Sequence, residues 1–549
     1  MKKKSHSRIT FKPYYQDQKK LLPPSLNELI PENHMVRFVN DIIDKMNIDH
    51  LIQGYKGGGT SSYHPKMMLK VLIYAYTQRI YASRQIAKAV RENIHFMWLS
   101  GDNRPDFRTL NRFRSSRLKD TIETVFTTVV EFLLEERLID LREYFLDGTK
   151  IEANANKYSF VWGKATRKFK TRLQTQVKEL LKQIDAFNEE ENRRYGNKDL
   201  AELGEGKEIS SEKLSEKVKE LEERLSEESS NKPLKKAVKK IKQDYLVRQK
   251  KYEEQERILG ERNSYSKTDT DATFMRMKED YMKNGQLKPG YNIQMGTENQ
   301  FIVGYSIHQR PSDSGLFIPH LEHLKSQLSK LPETIISDSG YGSEENYNYM
   351  EKERLNGYVK YNNFHYEQKK QFKENLFRVE NLQYDIKTDT YICPAGKRLH
   401  YLNTESYKTS NGYQTSRKIY QCEDCEGCMF RDQCHQSKYN RKIRVSPRLN
   451  NYKRQARDRL NSEYGKLLRS KRPIEVESVF GQIKHNRLFR RFMLRGLDKV
   501  NVEYGLVAIA HNLMKWWSKT EKNRKISLDA LLNYFILSRF PKIIIIWDA

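Results

Sequence analysis

The segment that decides the fold reads Arg472-Pro-Ile-Glu-Val-Glu477-Ser-Val-Phe-Gly-Gln-Ile-Lys484-His-Asn-Arg-Leu-Phe-Arg490-Arg491. Pro473 suits the first turn of a helix, where a missing N–H costs nothing, so we predict that a helix begins there. Apolar residues then recur at helical spacing and predict one buried face. Glu477 and Lys484 are seven residues apart, which places them two turns apart on a second face. A carboxylate aligned with cations indicates a site that handles phosphate and metal together.

The chain as a whole is strongly basic. Its 549 residues carry 100 Lys and Arg against 71 Asp and Glu, a net charge of +29, and residues 441–500 alone hold 18 basic and 5 acidic residues. Such an excess favours a polyanionic partner. No apolar run approaches 18 residues, the segment Ile543–Trp547 is too short to cross a bilayer, and no apolar segment follows the charged N-terminus. We therefore expect nucleic acid as the partner, no membrane, and a cytoplasmic, nucleoid-associated protein.

Residues 1–120 are predicted to form a helical domain. A helix is expected over 66–76, and start signals follow at Ser83 and Asp106. The helix after Asp106 carries Arg108, Arg112 and Arg114, as a helix-turn-helix reader of DNA would. The preceding loop is longer than the 3–4-residue turn of that motif. A plain helical bundle with a basic solvated face explains the pattern equally well, and both interpretations stay open.

Two apolar segments each lead into an aspartate. Tyr144-Phe-Leu146 precedes Asp147, and Thr334-Ile-Ile-Ser337 precedes Asp338. A carboxylate beside a buried strand is costly unless it is paired or binds metal, and in open α/β sheets the ligand groups lie just beyond the strand ends. A simple turn in the Asp147-Gly148 pair is the alternative. Strand character also returns at 290–295 and 301–308, which predicts a hairpin, and Ser312 or Asp313 is expected to cap the next helix.

Asp147, Asp338 and Glu477 together supply three carboxylates. Oxygen ligands of this kind suit Mg²⁺, which otherwise keeps water and substrate phosphate. Two such ions about 3.5–4 Å apart clamp the attacking and leaving oxygens of an in-line phosphoryl displacement. Lys484 and Arg491 would then bind the flanking phosphates.

Residues 165–262 are predicted to be a coiled-coil-like insertion of three helices. Apolar residues step by four and three along each helix. They are Leu173, Val177, Leu180 and Ile184, then Leu214, Val218, Leu221 and Leu225, then Leu234, Val238, Ile241 and Tyr245. The surface is rich in Glu and Lys, as solvated helices are, and we assign it no chemistry. The apolar seam serves either dimerisation or packing within the segment.

Four cysteines are crowded into a short segment. They follow the pattern Cys422-x2-Cys425-x2-Cys428-x5-Cys434, and a fifth lies in Cys393-Pro-Ala-Gly. Thiolates at two-residue spacing can surround one Zn²⁺, and iron–sulfur motifs repeat similar gaps. Because the spacing is not a paired zinc-ribbon layout, clustered free thiols explain it as well. Five cysteines in a chain of this length indicate a reducing compartment.

The order of these motifs resembles the DDE transposases of bacterial insertion sequences, close to the insertion-sequence-1182 group. The N-terminal part through 105–114 resembles the domain shared by this wider group. The matching motifs elsewhere are Leu146-Asp-Gly-Thr-Lys150, Gly290-Tyr-Asn-Ile-Gln294, Ser337-Asp-Ser-Gly-Tyr-Gly342, Cys393-Pro-Ala-Gly396, Glu477-Ser-Val-Phe-Gly481, Phe489-Arg-Arg-Phe492, Leu494-Arg-Gly496 and Ala510-His-Asn-Leu513.

The resemblance implies an α/β protein with a ribonuclease-H-like catalytic core. The core would comprise residues 140–164, 263–360 and 441–520, with a helical N-terminal DNA-binding domain at 1–120. The coiled-coil insertion would occupy 165–262, the Cys-containing insertion 361–440, and a C-terminal helix and tail 521–549. Asp147, Asp338 and Glu477 would hold two Mg²⁺ or Mn²⁺ ions. The enzyme would cut double-stranded DNA at terminal inverted repeats and join the 3′-hydroxyl to target DNA, acting as a homodimer.

Eight cations are expected to contact DNA: Arg108, Arg112, Arg114, Arg472, Lys484, Arg490, Arg491 and Arg495. The family pattern places Tyr, Arg, Glu and Lys around the last acid. Arg472 and Lys484 fit this pattern, but Arg469 stands where the Tyr is expected, and Tyr464 is a candidate substitute. Glu475 is a rival third acid, but it lies about 200° from Glu477 around a regular helix, so Glu477 is preferred. Two other functions stay open. One is a catalytically inactive, transposase-derived DNA-binding protein, and the other is a coiled-coil scaffold protein.

Overall fold

The structure is a computed structural model that describes residues 25–53, 55, 62–195, 208–227, 232–277 and 285–539. The apolar segment Ile543–Trp547 lies outside these residues. The chain forms two compact units, residues 1–113 with 516–549 and residues 114–515. The fold is mixed α/β, with a helical N-terminal region followed by sheets. Within the described ranges, no helix is long and apolar enough to cross a bilayer.

The first unit is helical, as predicted. Pro65 lies in the first turn of the helix expected at 66–76, and the Asp106 side chain caps another helix by accepting the Thr109 N–H at 2.7 Å. Ser83 is the first residue of its helix and not the cap, which is Ala82. The helices are α1 (Met35–Lys45), α2 (Asp49–Ile52), α3 (Pro65–Thr77), α4 (Ser83–Glu92), α5 (Ile94–Ser100) and α6 (Phe107–Arg112), joined by the end of α19 (Leu497–Arg539).

The second unit contains a six-stranded sheet in the order β4-β5-β1-β7-β8, with β6 also paired to β5. Its central strand β1 is antiparallel to β5 and parallel to β7, and β8 is parallel to β7. The strands are β1 (Glu143–Glu152), β2 (Phe160–Trp162), β3 (Ser264–Ser266), β4 (Thr273–Arg276), β5 (Leu287–Glu298), β6 (Phe301–His308), β7 (Thr334–Ser337) and β8 (Asn356–Val359). Tyr144, Phe145 and Leu146 of β1 are all fully buried, and because successive side chains point to opposite faces of a sheet, both faces are covered at this strand.

The predicted hairpin is present as β5 and β6, and its turn is formed by Asn299 and Gln300. Asn299 and Gln300 both have positive φ, 51° and 61°, which matches the twist of a two-residue hairpin turn. Glu298 remains in β5, and its Oε2 accepts the Leu141 N–H at 2.8 Å. The Asn512 side chain forms two hydrogen bonds with the backbone of Ile302 on β6. Its Oδ1 accepts the Ile302 N–H and its Nδ2 donates to Ile302 O, each at 2.8 Å.

The described residues between β2 and β3, which are 163–195, 208–227 and 232–263, are mostly helical, and the two strands pair with each other. The helices are α8 (Gly163–Tyr195), α9 (Ser211–Glu227), α10 (Lys232–Lys240) and α11 (Leu246–Leu259), with a π-helical turn joining the last two. The predicted apolar positions share one buried cluster, in which Leu180 and Leu225 are only partly buried. The packing of this segment as a coiled coil stays a prediction.

A second, five-stranded antiparallel sheet carries the cysteine-rich segment. Its order is β13-β12-β11-β10-β9. The strands are β9 (Gln383–Asp385), β10 (Thr390–Ile392), β11 (Arg398–Lys408), β12 (Gln414–Cys422) and β13 (Lys442–Val445). The remaining helices of this unit are α7 (Ile122–Glu135), α12 (Phe317–Leu328), α13 (Glu344–Lys352), α14 (Lys370–Lys373), α15 (Arg431–Cys434) and α16 (Pro447–Asn461).

Pro473 does not begin a helix, which corrects the sequence prediction. Helix α17 (Glu463–Arg472) leads directly into a π-helical turn (Pro473–Glu477), then α18 (Ser478–Gly481) and a second π-helical turn (Gln482–Asn486). Proline has no N–H to donate and its ring crowds the preceding turn. Widening the helix to π geometry accommodates both effects without ending it.

Candidate active site

The three predicted acids come together at one edge of the central sheet. Leu146 of β1 lies opposite Ser337 of β7, so Asp147 and Asp338 are adjacent on neighbouring strands. The sequence predicted that Asp147 follows the end of its strand. In the structure it lies in the middle of β1, because β5 pairs with this strand as far as Glu152. It lies just beyond the parallel part, where the β1–β7 ladder stops.

Each aspartate uses its two oxygens in the same way. One oxygen accepts the next backbone N–H, from Gly148 to Asp147 Oδ1 at 2.8 Å and from Ser339 to Asp338 Oδ1 at 2.7 Å. The other faces the Arg472 guanidinium, whose Nη2 is 2.9 Å from Asp147 Oδ2 and 3.9 Å from Asp338 Oδ2. Both carboxylates are therefore oriented toward one cation.

The π-helical turn brings Glu477 to the same cation. Arg472 Nη1 donates to Glu477 Oε1 at 2.9 Å, although the two residues are five apart in the chain. Five-residue spacing is the repeat of a π-helix, and the Ser478 N–H bonds to Pro473 O in that pattern. The Arg472 side chain is 8% exposed, whereas that of Glu477 is 53% exposed. Three carboxylates thus converge on a buried guanidinium.

Glu475 points to a different part of the sheet. Its Oε2 accepts the Gln300 N–H at 2.6 Å, at the β5–β6 turn, and burial raises the pKa of the Glu475 carboxyl. Tyr464, the candidate substitute for the missing Tyr, donates to Glu143 at 2.9 Å. Arg469 lies over the Phe364 ring with its guanidinium carbon 5.4 Å from the ring centroid.

The donor chemistry of this cluster fits a hard divalent cation, since all three side chains are carboxylates. In the described part of the chain, however, no group of three or more His, Cys, Asp or Glu is arranged to hold a metal ion. At the acids the reason is visible, because the Arg472 guanidinium stands between the carboxylates. Ions at Asp147, Asp338 and Glu477 would replace that guanidinium as their counter-charge.

Lys360 is a residue at this edge that the sequence analysis missed. It is the first residue after β8, and its Nζ is 4.0 Å from Asp338 Oδ1. Burial lowers the pKa of Lys360, and the neighbouring Asp338 carboxylate opposes that effect. The sequence signal was weak, because the preceding strand, Asn356–Val359, is not a continuous apolar run.

A polar network lies against Gly148. Asp313 Oδ1 accepts from Asn292 Nδ2 at 2.7 Å and from Gln294 Nε2 at 3.0 Å, and Tyr341 donates to Gln294 at 2.5 Å. The sequence predicted that Ser312 or Asp313 caps α12. In the structure neither does, because no side chain makes a cap hydrogen bond to that helix. The role of Asp313 in the structure is to bind the amides of the Gly290–Gln294 motif.

The predicted DNA-contacting cations separate into exposed and buried residues. Arg108 and Arg112 are exposed on α6. Arg114 is only 2% exposed and Lys484 only 5%, so neither presents its charge to a DNA backbone in this structure. For Lys484 the reason is the pair of π-helical turns, which shift the phase of the helix and end the face that regular α-helical spacing predicts.

The last three predicted arginines lie near the end of β1. Arg491 forms a backbone bridge with Glu152, which is five residues, or roughly 16 Å, beyond Asp147 along the strand. Arg490 Nε donates to Lys484 O, Arg491 Nη2 to Ala155 O and Arg495 Nε to Asn154 O, at 3.1, 3.2 and 2.8 Å. These side chains stay exposed, and phosphate binding by Arg491 stays a prediction.

The cysteines belong to the second sheet. Cys422 and Cys425 are buried in its apolar cluster, and burial raises the pKa of the Cys422 thiol to about 12. Arg441 donates its backbone N–H to Cys425 Sγ at 3.4 Å and its Nη1 to Cys434 Sγ at 3.1 Å. No metal-holding group is found among the described residues, and zinc binding at Cys422, Cys425, Cys428 and Cys434 stays a prediction beside the alternative of clustered free thiols.

Comparison with known protein families gives two matches. Residues 392–517, which include Arg472 and Glu477, match the family described as transposase DDE domain. Residues 24–116, which include the helices of the first unit, match the family described as transposase domain DUF772. No curated protein matches the chain. The two matches indicate a DDE transposase, as the motifs predicted, and the insertion-sequence-1182 resemblance is consistent with both of them.

Proposed function

We propose that this transposase cleaves double-stranded DNA at the ends of an insertion sequence and joins the freed 3′-hydroxyl to target DNA. The observation that carries the proposal is the convergence of Asp147, Asp338 and Glu477 on a single buried cation. Carboxylates from two strands and a helix meet there, which is the arrangement expected of a ribonuclease-H-like core. Their placement at a strand edge is typical of ligand-binding sites in α/β sheets.

The residues of this chain would orient the reaction. Asp147 and Asp338 are fixed by the N–H groups that follow them, so their second oxygens are directed into the site. Two divalent cations, Mg²⁺ or Mn²⁺, when bound at the three acids, would supply charge stabilisation to the attacking and leaving oxygens. Arg472, once released from its carboxylates, would face the phosphate with two donating nitrogens.

DNA is proposed as the partner on the strength of charge. Of the net charge of +29, residues 441–500, which contain Glu477, carry +13, from 18 basic and 5 acidic residues. Exposed Arg108 and Arg112 on α6 would contact phosphates from the first unit. Because two element ends must be held together, a homodimer on DNA is proposed. Nucleoid association would follow from DNA binding.

The test uses full-length protein, Mn²⁺ or Mg²⁺, and duplex DNA carrying the inverted repeats that flank the gene. Strand cleavage is measured for the wild type and for Asp147→Ala, Asp338→Ala and Glu477→Ala. Each substitution should reduce the cleavage rate by at least about 100-fold. Glu475→Ala and Lys471→Ala serve as matched controls on the same helix.

Absence of cleavage by the wild type would favour the second candidate, an inactive DNA-binding protein. The presence of all three acids at one edge argues against that candidate. A scaffold protein built on helices α8 to α11 would bind DNA only through its net positive charge. It would give no reason for Asp147 to lie beside Asp338.

A further inference from the structure

Lys360 occupies the same position after β8 that Asp338 occupies after β7. The two strands pair in parallel with Ser337 opposite Val359, and the Lys360 N–H donates to Ser337 O at 3.3 Å. Strand β1 pairs with β7 on the other side, also in parallel. Three adjacent strands therefore bring Asp147, Asp338 and Lys360 to one edge of the sheet.

The backbone at Lys360 is held firmly. A Cβ atom at Gly342 would lie 2.3 Å from Lys360 O and 2.6 Å from Tyr361 Cα, so the turn after Asp338 packs directly on this backbone. Tyr361 is buried, and its hydroxyl donates to Glu367 at 2.7 Å. The position of Lys360 is thus set by the same turn that sets the position of Asp338.

The Lys360 ammonium has few partners. Its contact with Asp338 Oδ1, at 4.0 Å, is its sole ion pair within the described ranges, and no hydrogen bond from Nζ is found there. That oxygen already accepts the Ser339 N–H at 2.7 Å. The Lys360 side chain is 16% exposed, so water reaches it only in part. An ammonium has three donors to satisfy, and an anion entering this edge would satisfy them.

We propose that Lys360 contacts the scissile phosphate of DNA, donating to a non-bridging oxygen and stabilising the charge that develops there. This inference rests on the proposed function. The family motif directs attention to Lys484, but Lys484 is buried, whereas the Lys360 ammonium borders the acids. A preorganised donor at a reacting phosphate acts on the rate more than on binding, because the charge grows in the transition state.

The experiment measures single-turnover nicking of supercoiled plasmid by the full-length protein with Mn²⁺. The variants are Lys360→Met and Lys360→Arg, with Asp338→Asn as the reference for loss of chemistry. Lys453→Met is the matched control, because Lys453 Nζ lies 5.7 Å from the Tyr361 ring centroid yet belongs to α16 and not to the strand edge. The maximal rate and the half-saturating protein concentration are determined separately, and thermal melting checks the fold.

We expect Lys360→Met to lower the maximal rate about 100-fold while the half-saturating concentration changes less than about threefold. Lys360→Arg should restore the maximal rate to within about tenfold of the wild-type rate. The control, Lys453→Met, should have the wild-type rate. A Lys360→Met variant with an unchanged maximal rate overturns the inference, as does one that changes only the half-saturating concentration. If Lys360→Met does not fold, a folded Lys360→Arg that is wholly inactive overturns it.

Two outcomes separate this inference from the proposed function. A wild type that does not nick, or an Asp338→Asn variant that nicks normally, overturns both. Nicking that requires Asp338 but not Lys360 leaves the proposed function standing and overturns the role of Lys360.

Discussion

Arg472 Nη2 lies 2.9 Å from Asp147 Oδ2, and the same guanidinium reaches Glu477 through its other terminal nitrogen. The side chain that the sequence suggested as a DNA contact is therefore the counter-charge of the acids. Removing it would take away the one cation that all three carboxylates contact. A divalent metal bound at the three acids, as proposed, would compete with Arg472 for the same oxygens.

Replacing Arg472 by Gln should strengthen Mn²⁺ binding in the absence of DNA. Loss of the competing cation should tighten binding by about tenfold, or about 1.4 kcal/mol. The same variant should melt at a lower temperature in EDTA and regain stability when Mn²⁺ is added. Calorimetric titration and thermal melting measure the two effects. Lys471→Gln is the control, because its ammonium binds Glu143, 2.9 Å away. Equal or weaker Mn²⁺ affinity in Arg472→Gln would contradict the competition.

Replacing Glu477 and replacing Glu475 by Gln should have different effects on DNA cleavage and on stability. Glu477→Gln should abolish DNA cleavage with little change in melting temperature, because the side chain is half exposed. Glu475→Gln should retain cleavage within a few-fold but lose about 1–3 kcal/mol of stability, since its carboxylate accepts a buried backbone N–H. Cleavage assays and melting curves on both variants decide the matter. Loss of cleavage in a stable Glu475→Gln protein would assign the third acid to Glu475.

Glu298 should make stability fall as pH rises. Burial raises its pKa from 4.5 to about 7, and the nearby Asp140 adds to the effect. Because the folded pKa is the higher one, its contribution is fully present below pH 4.5 and is lost as pH rises through 7. The melting temperature of Glu298→Gln minus that of the wild type should increase from pH 5 to pH 8, corresponding to about 1–3 kcal/mol. Exposed Glu333→Gln should show no such trend, and a flat difference for Glu298→Gln would refute the assignment.

Gly148 should not tolerate a side chain. A Cβ atom there would lie 2.5 Å from Asp313 Oδ1 and 2.6 Å from Gln294 Nε2, and both atoms are fixed by hydrogen bonds. Gly148→Ala should therefore cost about 1–3 kcal/mol through overpacking. Adding Asp313→Ala should relieve part of that cost, so the double variant should be more stable than the sum of the single effects predicts. Strict additivity in the melting data would show that Asp313 is not the obstacle.

Arg108 and Arg112 should contribute to DNA binding through phosphate contacts. Each exposed arginine replaced by Ala should reduce the slope of log affinity against log salt by about one. Fluorescence anisotropy at several salt concentrations measures the slope. Arg114→Ala is the contrasting variant, because this residue is buried and its loss should lower the melting temperature and leave the slope unchanged. A slope unaffected by Arg108→Ala and Arg112→Ala would remove α6 from the DNA interface.

The sequence by itself was sufficient to predict several strands and helices and to single out the acidic residues of the candidate site. Runs of apolar residues identified β1 and β7, and the Asp that follows each run marked Asp147 and Asp338 as unusual, because a charge beside a buried strand needs a partner. The hairpin of β5 and β6 and the buried positions of residues 173–245 followed from periodicity alone. These features depend on local spacing, which the sequence displays directly.

Only the tertiary structure decided what the acids contact. The π-helical turn at Pro473 depends on how the whole helix packs, and it alone aligns Arg472 with Glu477 while turning Glu475 toward Gln300. The burial of Arg114 and Lys484 and the position of Lys360 beside Asp338 depend on strand order and helix phase. Spacing along the chain cannot report these contacts, because they join residues that the fold, and not the sequence, places side by side.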